Sequence, residues 1–207
     1  MGEYEIAHYA YEIERKDLRL AGGKQDQYAA TFGGVNYMEF FAGDKVVVNP
    51  LRIKQQYLFE LDNNLILFFT STSRSSAKII EQQAGNVVKK NETAIEAMHQ
   101  LKHQAQLMKE ALLTGKLNEI GEILDFGFQQ KIKMADGISN PLIEEIYATA
   151  RKAGATGGKI SGAGGGGFMV FYCPMNTKYE VLRQLERFGG SHRRYQFVDH
   201  GMTSWSV

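Results

Sequence analysis

The sequence predicts an α+β protein, and three observations carry that expectation. From about residue 77 to 153, apolar residues recur every three to four positions, as they do along one face of a helix. Short apolar or alternating runs lie on either side, as strands require. No internal repeat divides the chain, so helices and strands segregate instead of alternating in a regular βα pattern.

Taken in order, Glu3 to Lys16 reads as a helix, because Ile6, Tyr9, Ala10 and Ile13 share one face. No clear capping residue precedes it. Leu18 to Gln25 is a Gly-rich connection, and Asp26 is expected to cap a short helix through Ala30 that closes at Gly33-Gly34. Val35 to Phe40 and Lys45 to Asn49 form two strands about the turn Ala42-Gly43-Asp44, and the alternation of Leu51, Ile53, Gln55, Tyr57 and Phe59 suggests another. Leu65 to Thr70 is a short apolar strand, followed by the polar loop Ser71 to Ser76. A long helical pattern runs from Ala77 to Leu113 with a break near Gly85-Asn86, and Thr114-Gly115-Lys116 ends it. Leu117 to Met134 is a further helix. Asn140 then caps a helix with Pro141 in its first turn, ending at Gly154. Gly157 to Ser161 and Phe168 to Cys173 are strands, Thr177 to Phe188 a helix, and Arg194 to Val198 and Met202 to Val207 final strands.

Composition narrows the function classes. The 207 residues carry 24 basic and 23 acidic side chains, a net charge of +1. That balance argues against a protein built to bind nucleic acid or an anionic membrane. The single cysteine, Cys173, cannot support an internal disulfide and suits a reducing compartment. The longest apolar run, Leu65 to Phe69, is far too short to span a bilayer, and no signal peptide is visible. A cytoplasmic location is expected.

Glycine is the anomaly. There are 22, and 12 of them fall in two windows, four from Gly22 to Gly34 and eight from Gly154 to Gly167. Glycine costs backbone entropy, so a cluster needs a reason: tight turns, or backbone approaching a ligand. In Lys159-Ile160-Ser161-Gly162-Ala163-Gly164-Gly165-Gly166-Gly167, several backbone N–H groups can face one anion, with Lys159 adding charge and Ser161 a hydroxyl. The lysine precedes the glycines and a strand follows them, so this is neither a Walker A loop nor a dinucleotide fingerprint. A plain hairpin between strands fits the same residues. In Gly22-Gly23-Lys24-Gln25-Asp26-Gln27-Tyr28, Asp26 suits the proton acceptor of a phosphoryl transfer, and equally a helix cap.

These segments resemble a known family. Lys159 to Phe168 is similar to the third motif of the GHMP kinases, and Gly22 to Gly34 to the segment carrying that family's aspartate. With Asn140-Pro141-Leu142-Ile143 and Gly154-Ala155-Thr156-Gly157-Gly158, the wording is most similar to the branch that phosphorylates D-glycero-D-manno-heptose 7-phosphate. The resemblance implies transfer of the ATP γ-phosphoryl group to a sugar hydroxyl, here the anomeric one. It implies Asp26 as the catalytic residue, and Gly22, Gly23 and Gln25 as substrate-contacting. Lys159, Ser161, Gly162, Ala163, Gly164 and Gly165 would lie beside the phosphates. Arg74, in the loop after a strand, is a further candidate for the sugar phosphate, since a guanidinium binds phosphate bidentately. A solvated loop arginine is the other reading.

The family also has an N-terminal motif and a Ser-rich Pro-x-x-x-Gly-Leu-like motif that wraps the ATP phosphates and helps hold magnesium. Neither stands in these 207 residues. The chain is therefore expected to be the C-terminal part of a kinase. Residues 1–60 would be the remainder of a ribosomal-S5-like N-terminal domain, and residues 61–207 a ferredoxin-like C-terminal domain. ATP and Mg2+ are the implied cofactors, with most of their site elsewhere, and the isolated chain is expected to be inactive. A non-catalytic ligand-binding or regulatory module derived from such a kinase is the alternative. No metal ligands are assigned: His99 and His103 share a helix face but lack an acidic partner and a third ligand. The basic cluster Arg187, His192, Arg193 and Arg194 reads as a solvated face.

Overall fold

The chain divides into two compact units, each with buried apolar side chains of its own. The structure is a computed structural model that describes residues 1–72 and 76–205. One unit comprises Met1–Arg52 with Gln196–Val207, the other Ile53–Tyr195. The sequence boundary at 60/61 therefore differs from the packing boundary at 52/53.

The first unit starts with α1 (Glu3–Glu12), which runs on as a π-helical turn over Ile13–Asp17. Glu5 accepts a hydrogen bond from the Gly2 N–H at 2.9 Å, tying down the first turn. Next come α2 (Gln25–Phe32) and a hairpin of β1 (Asn36–Phe40) and β2 (Val46–Pro50). Ala7, Tyr28, Val46 and Val48 form the core, flanked by Phe32 and Met38. Tyr4 packs edge-on against Phe32 with ring centroids 4.9 Å apart, and its hydroxyl accepts the Val48 N–H at 3.0 Å. The chain's last stretch returns here: Gly34 N–H donates to the Val198 carbonyl at 3.0 Å, and Met202 N–H to that of Thr31 at 3.2 Å.

The second unit opens with a correction. Residues expected to form a strand through Phe59 instead enter α3 (Gln55–Asn64). Tyr57, Leu58, Leu61 and Asn64 face inward at helical spacing, while Phe59 is 66% exposed. A five-residue alternation cannot by itself exclude a helix. Then follow β3 (Leu65–Phe69), α4 (Ser76–Val88), α5 (Glu92–Thr114), α6 (Ile120–Lys131) and α7 (Pro141–Lys152). The helix break falls at Asn91, whose side chain caps α5 by accepting from Ala94 N–H; Gly85 stays inside α4. Gly115 ends α5 with φ of 74°, and Asn140 caps α7 by accepting from Ile143 N–H at 3.0 Å.

β4 (Gly157–Ile160), β5 (Phe168–Tyr172), α8 (Lys178–Leu185) and β6 (Ser191–His192) complete it. The sheet order is β4-β5-β3-β6, with antiparallel neighbours throughout. A β-α-β-β-α-β path with that order is the ferredoxin-like arrangement. The strands expected at 194–198 and 202–205 are absent. β6 stops at His192, one further bond joins Arg193 N–H to the Leu67 carbonyl, the Tyr195 hydroxyl donates to the Asp62 carbonyl at 3.1 Å, and beyond it the Val198 carbonyl and Met202 N–H bond the first unit. Positions 206 and 207 lie outside the described residues. Ile66, Phe68, Ile138, Ile143, Ile146, Ile160, Met169, Phe171 and Leu185 fill the core beneath the sheet.

Candidate functional site

The glycine loop is the connection between β4 and β5. Ile160 pairs with Met169, and Ser161 N–H donates to the Phe168 carbonyl at 2.8 Å, so the loop leaves a paired ladder and returns to it. The hairpin reading is thus correct as topology. The loop's inner side is nonetheless fixed by specific contacts. Gly165 N–H donates to the Ile138 carbonyl at 2.9 Å and Gly167 N–H to that of Thr72 at 2.7 Å. The Asn140 amide reaches the Gly165 carbonyl at 3.3 Å, and the Thr70 N–H and hydroxyl both bond the Gly167 carbonyl. Gly162, Gly164, Gly165, Gly166 and Gly167 all have positive φ, from 66° to 155°. L-residues rarely adopt such backbone, which explains the run of glycines.

Bending the inner side this way leaves the outer side open. Among the described residues, the N–H groups of Gly162, Ala163, Gly164 and Gly166 have no hydrogen-bond acceptor. They border an open pocket of about 280 Å³ lined by Ser161, the loop and Ser76, the first residue of α4. The first N–H groups of a helix also lack intrahelical partners. Free backbone donors of the loop thus share one pocket with the first residue of a helix, which favours an anion.

Two lysines belong to the elements next to the loop. Lys159 is on β4, and burial pushes its amine below the ordinary lysine range. Lys131 ends α6, and its ammonium donates to the Gly162 carbonyl. Burial, and after it the charge of Lys159, pushes the Lys131 amine down to about 8. The approach of α6 to β4 that places Lys131 here depends on glycine: a Cβ on Gly157 would lie 1.8 Å from the Gly121 carbonyl oxygen. Nothing in the sequence pattern singled out Lys131; it reads there as an ordinary cation in the last turn of a helix.

In the first unit, Asp26 corrects its expected capping role. Lys24 is the N-cap residue, and Asp26 sits in the first turn of α2 behind Gln25. Its exposed carboxylate has no hydrogen-bond or ion-pair partner among the described residues. The neighbouring Lys24 is committed elsewhere, to Asp44 at 2.8 Å and to the face of the Tyr11 ring. Asp26 is thus free to meet a ligand and gains from the positive end of its helix.

The loop before it is held by Arg15, a residue the sequence reading missed. From the π-helical turn, the Arg15 guanidinium donates to the carbonyls of Gly23 at 3.1 Å, and of Leu20 and Ala21 at 3.3 Å. Glu14 pairs with Arg15 at 3.2 Å and accepts the buried Gln27 amide at 2.7 Å. A Cβ on Gly22 would lie 2.4 Å from the guanidinium carbon, so glycine is what lets Arg15 close on this loop. The carbonyls of Leu20, Ala21 and Gly23 are thereby linked through Arg15 and Glu14 to Gln27 of α2. Arg74 lies outside the described residues.

Among the described residues, no three His, Cys, Asp or Glu side chains converge as metal ligands. No helix there is long and apolar enough to cross a membrane. Mg2+ in phosphoryl-transfer sites is held mainly by phosphates, water and one or two carboxylates.

Comparison with known proteins shows where these features recur. Residues 108–191 match the family described as GHMP kinases C terminal. The chain is 43% identical over all 207 residues to the D-glycero-alpha-D-manno-heptose 7-phosphate kinase of Campylobacter jejuni, spanning 60% of that protein. It superposes on the crystal structure of a D-glycero-D-manno-heptose 1-phosphate kinase from Bacteroides thetaiotaomicron with a TM-score of 0.76 at 40% identity. That match covers the whole chain and 56% of the solved one. A mevalonate kinase from L. major shares the fold at a TM-score of 0.70 and 23% identity, covering 90% of the chain and 55% of the solved one.

Proposed function

We propose, from the match of residues 108–191 to the GHMP kinases C-terminal family, that the chain belongs to an ATP-dependent kinase acting on a sugar phosphate. The acceptor is the anomeric hydroxyl of D-glycero-D-manno-heptose 7-phosphate. The observation that carries this reading is the 43% identity to a heptose 7-phosphate kinase over every residue of the chain, both glycine clusters included. The two heptose kinases are named for different phosphate positions. The proposal follows the first, because transfer to the anomeric position requires that hydroxyl to be free.

In this reaction Asp26 takes the proton from the attacking hydroxyl, or orients it. Its unpaired carboxylate and place in the first turn of α2 support that role. Gly22, Gly23 and Gln25 contact the sugar, with Arg15 holding their backbone in place. Gly162, Ala163 and Gly164 stabilise phosphate charge through backbone N–H groups and Ser161 through its hydroxyl, with Lys159 on the preceding strand, while the Gly165 N–H is already spent on the Ile138 carbonyl. Arg74 remains a candidate for the sugar phosphate. ATP supplies the phosphoryl group, and Mg2+ would neutralise its developing charge.

A coupled ADP-release assay tests this on two proteins. One is the 207-residue chain alone. The other is the same chain joined to the segment of the Campylobacter relative that it does not match. The joined protein is expected to turn over heptose 7-phosphate and the isolated chain not. Asp26→Asn should lower kcat by about 10²–10⁴-fold, the range for a positioned general base. Turnover that survives Asp26→Asn unchanged, or a joined protein that ignores heptose 7-phosphate, would overturn the proposal.

A further inference from the structure

We propose that Lys131 and Lys159 act as a paired cationic seat for one phosphate group at the glycine loop, with Lys131 as a phosphate-binding residue that the loop motif itself does not contain. The proposal rests on the phosphate-binding reading of that loop and adds to it a residue from a different helix.

The argument begins with an imbalance of charge. A buried or half-buried ammonium is stable when a carboxylate or other anion answers it. Lys131 and Lys159 are both partly buried, at the end of α6 and on β4, and they repel each other. Among the described residues, neither has an ion-pair partner. The contact that Lys131 does make is to the Gly162 carbonyl, one neutral acceptor for a group with three donors. Three other lysines have carboxylate partners: Lys16 pairs with Glu12, Lys24 with Asp44 and Lys116 with Glu119.

The surroundings say what would answer the charge. The Gly162 carbonyl that binds Lys131 belongs to the wall of the 280 Å³ pocket. The free N–H groups of Gly162, Ala163 and Gly164 line the same pocket, and the N-terminus of α4 opens onto it at Ser76. Backbone donors accept a monoanion readily, and two ammonium groups favour a dianion. A phosphate monoester or the end of a polyphosphate supplies that charge, whereas a carboxylate supplies half of it.

Two phosphate sources fit this chemistry, a nucleotide and a sugar phosphate. Titrating the ¹⁵N-labelled chain with inorganic tripolyphosphate and, separately, with glucose 6-phosphate distinguishes them. Ionic strength is held constant, and amide and lysine side-chain resonances are followed. Saturable shifts are expected at Gly162, Ala163 and Gly164, with the Lys131 and Lys159 amines moving to higher pKa as the anion binds. The probe that binds more tightly identifies the source. Lys131→Met should weaken binding about tenfold or more, and Lys131→Arg should restore much of it. Unchanged amide shifts elsewhere would confirm that the variants fold. If the loop amides saturate but Lys131→Met binds as tightly as the parent, the paired seat is wrong while the loop reading stands. If neither probe shifts the loop amides, both fail. Even if Lys131→Met did not fold, an unmoved Lys131 amine in the parent chain would overturn the proposal.

Discussion

Adding one methyl group at Gly164 should damage the second unit far more than adding one at Gly162, although both glycines have positive φ. Gly164 has φ of 112°, and a Cβ there would lie 2.9 Å from the Cα, the carbonyl oxygen and the side chain of Ile138. Gly162 has φ of 66° with nothing within 4 Å of the added atom. Positive φ costs an L-residue about 1–2 kcal/mol in the left-handed region that Gly162 occupies, and at least as much at Gly164, whose φ lies beyond that region. Gly164→Ala adds an overpacking penalty of about 2 kcal/mol, since backbone must move to relieve it. For a unit of this size, each kcal/mol lowers the melting temperature by roughly 2–4 °C. The two variants should therefore differ by about 4–8 °C in differential scanning calorimetry of the transition that contains the second unit. Equal melting temperatures would mean that the loop does not rest on Ile138. The inner-side contacts that turn its outer N–H groups toward the pocket would then be wrong.

Further outcomes follow from the same geometry. Arg15→Ala should raise amide exchange at Leu20, whose N–H donates to the Glu14 carbonyl, by about tenfold or more in hydrogen–deuterium exchange, and Arg15→Lys should rescue it only partly, because an ammonium cannot fork across three carbonyls. Lys131→Met should raise the melting temperature at pH 7. The folded-state pKa of about 8 lies below the ordinary 10.5, so stability is lost as pH falls from 10.5 through 8, and the gain from the variant should shrink over that window as pH rises. A variant with no gain at pH 7 would contradict this. Burial pushes the Cys173 thiol up from 9.0 to about 12, so it should resist a thiol reagent at pH 8 in the folded chain and react on unfolding. The same shift should cost stability as pH rises from 9 toward 12, where only the unfolded thiol ionises; Cys173→Ala should remove that component.

Elements whose ends carry their own chemistry were legible in the sequence. Asn140-Pro141 starts α7 because an amide side chain can cap the free N–H groups and proline suits the first turn. Gly115 stops α5 because it takes the left-handed conformation without strain. The hairpin of β1 and β2, and the pair of β4 and β5 around the glycines, were likewise readable. Errors gathered where local pattern was short. Residues 51–59 alternate in hydrophobicity, yet Leu58, Leu61 and Asn64 supply a helical face just downstream, and Asn64 is held at the sheet by the Tyr172 hydroxyl at 3.2 Å. The tail shows the opposite problem, apolar residues with no ladder left to join.

For the candidate site the division is sharper. The sequence by itself determined which segments could approach a phosphate, because only glycine permits the run of positive φ from Gly162 to Gly167. It also placed Asp26 beside a glycine pair, although the cap turned out to be Lys24. Tertiary structure decided which cations attend those segments. Arg15 reaches loop carbonyls five to eight residues away, and Lys131 reaches one 31 residues away. Such contacts leave no periodic trace. A side chain bonding a distant backbone carbonyl needs no particular spacing in the sequence, only two elements packed closely enough to bring donor and acceptor together.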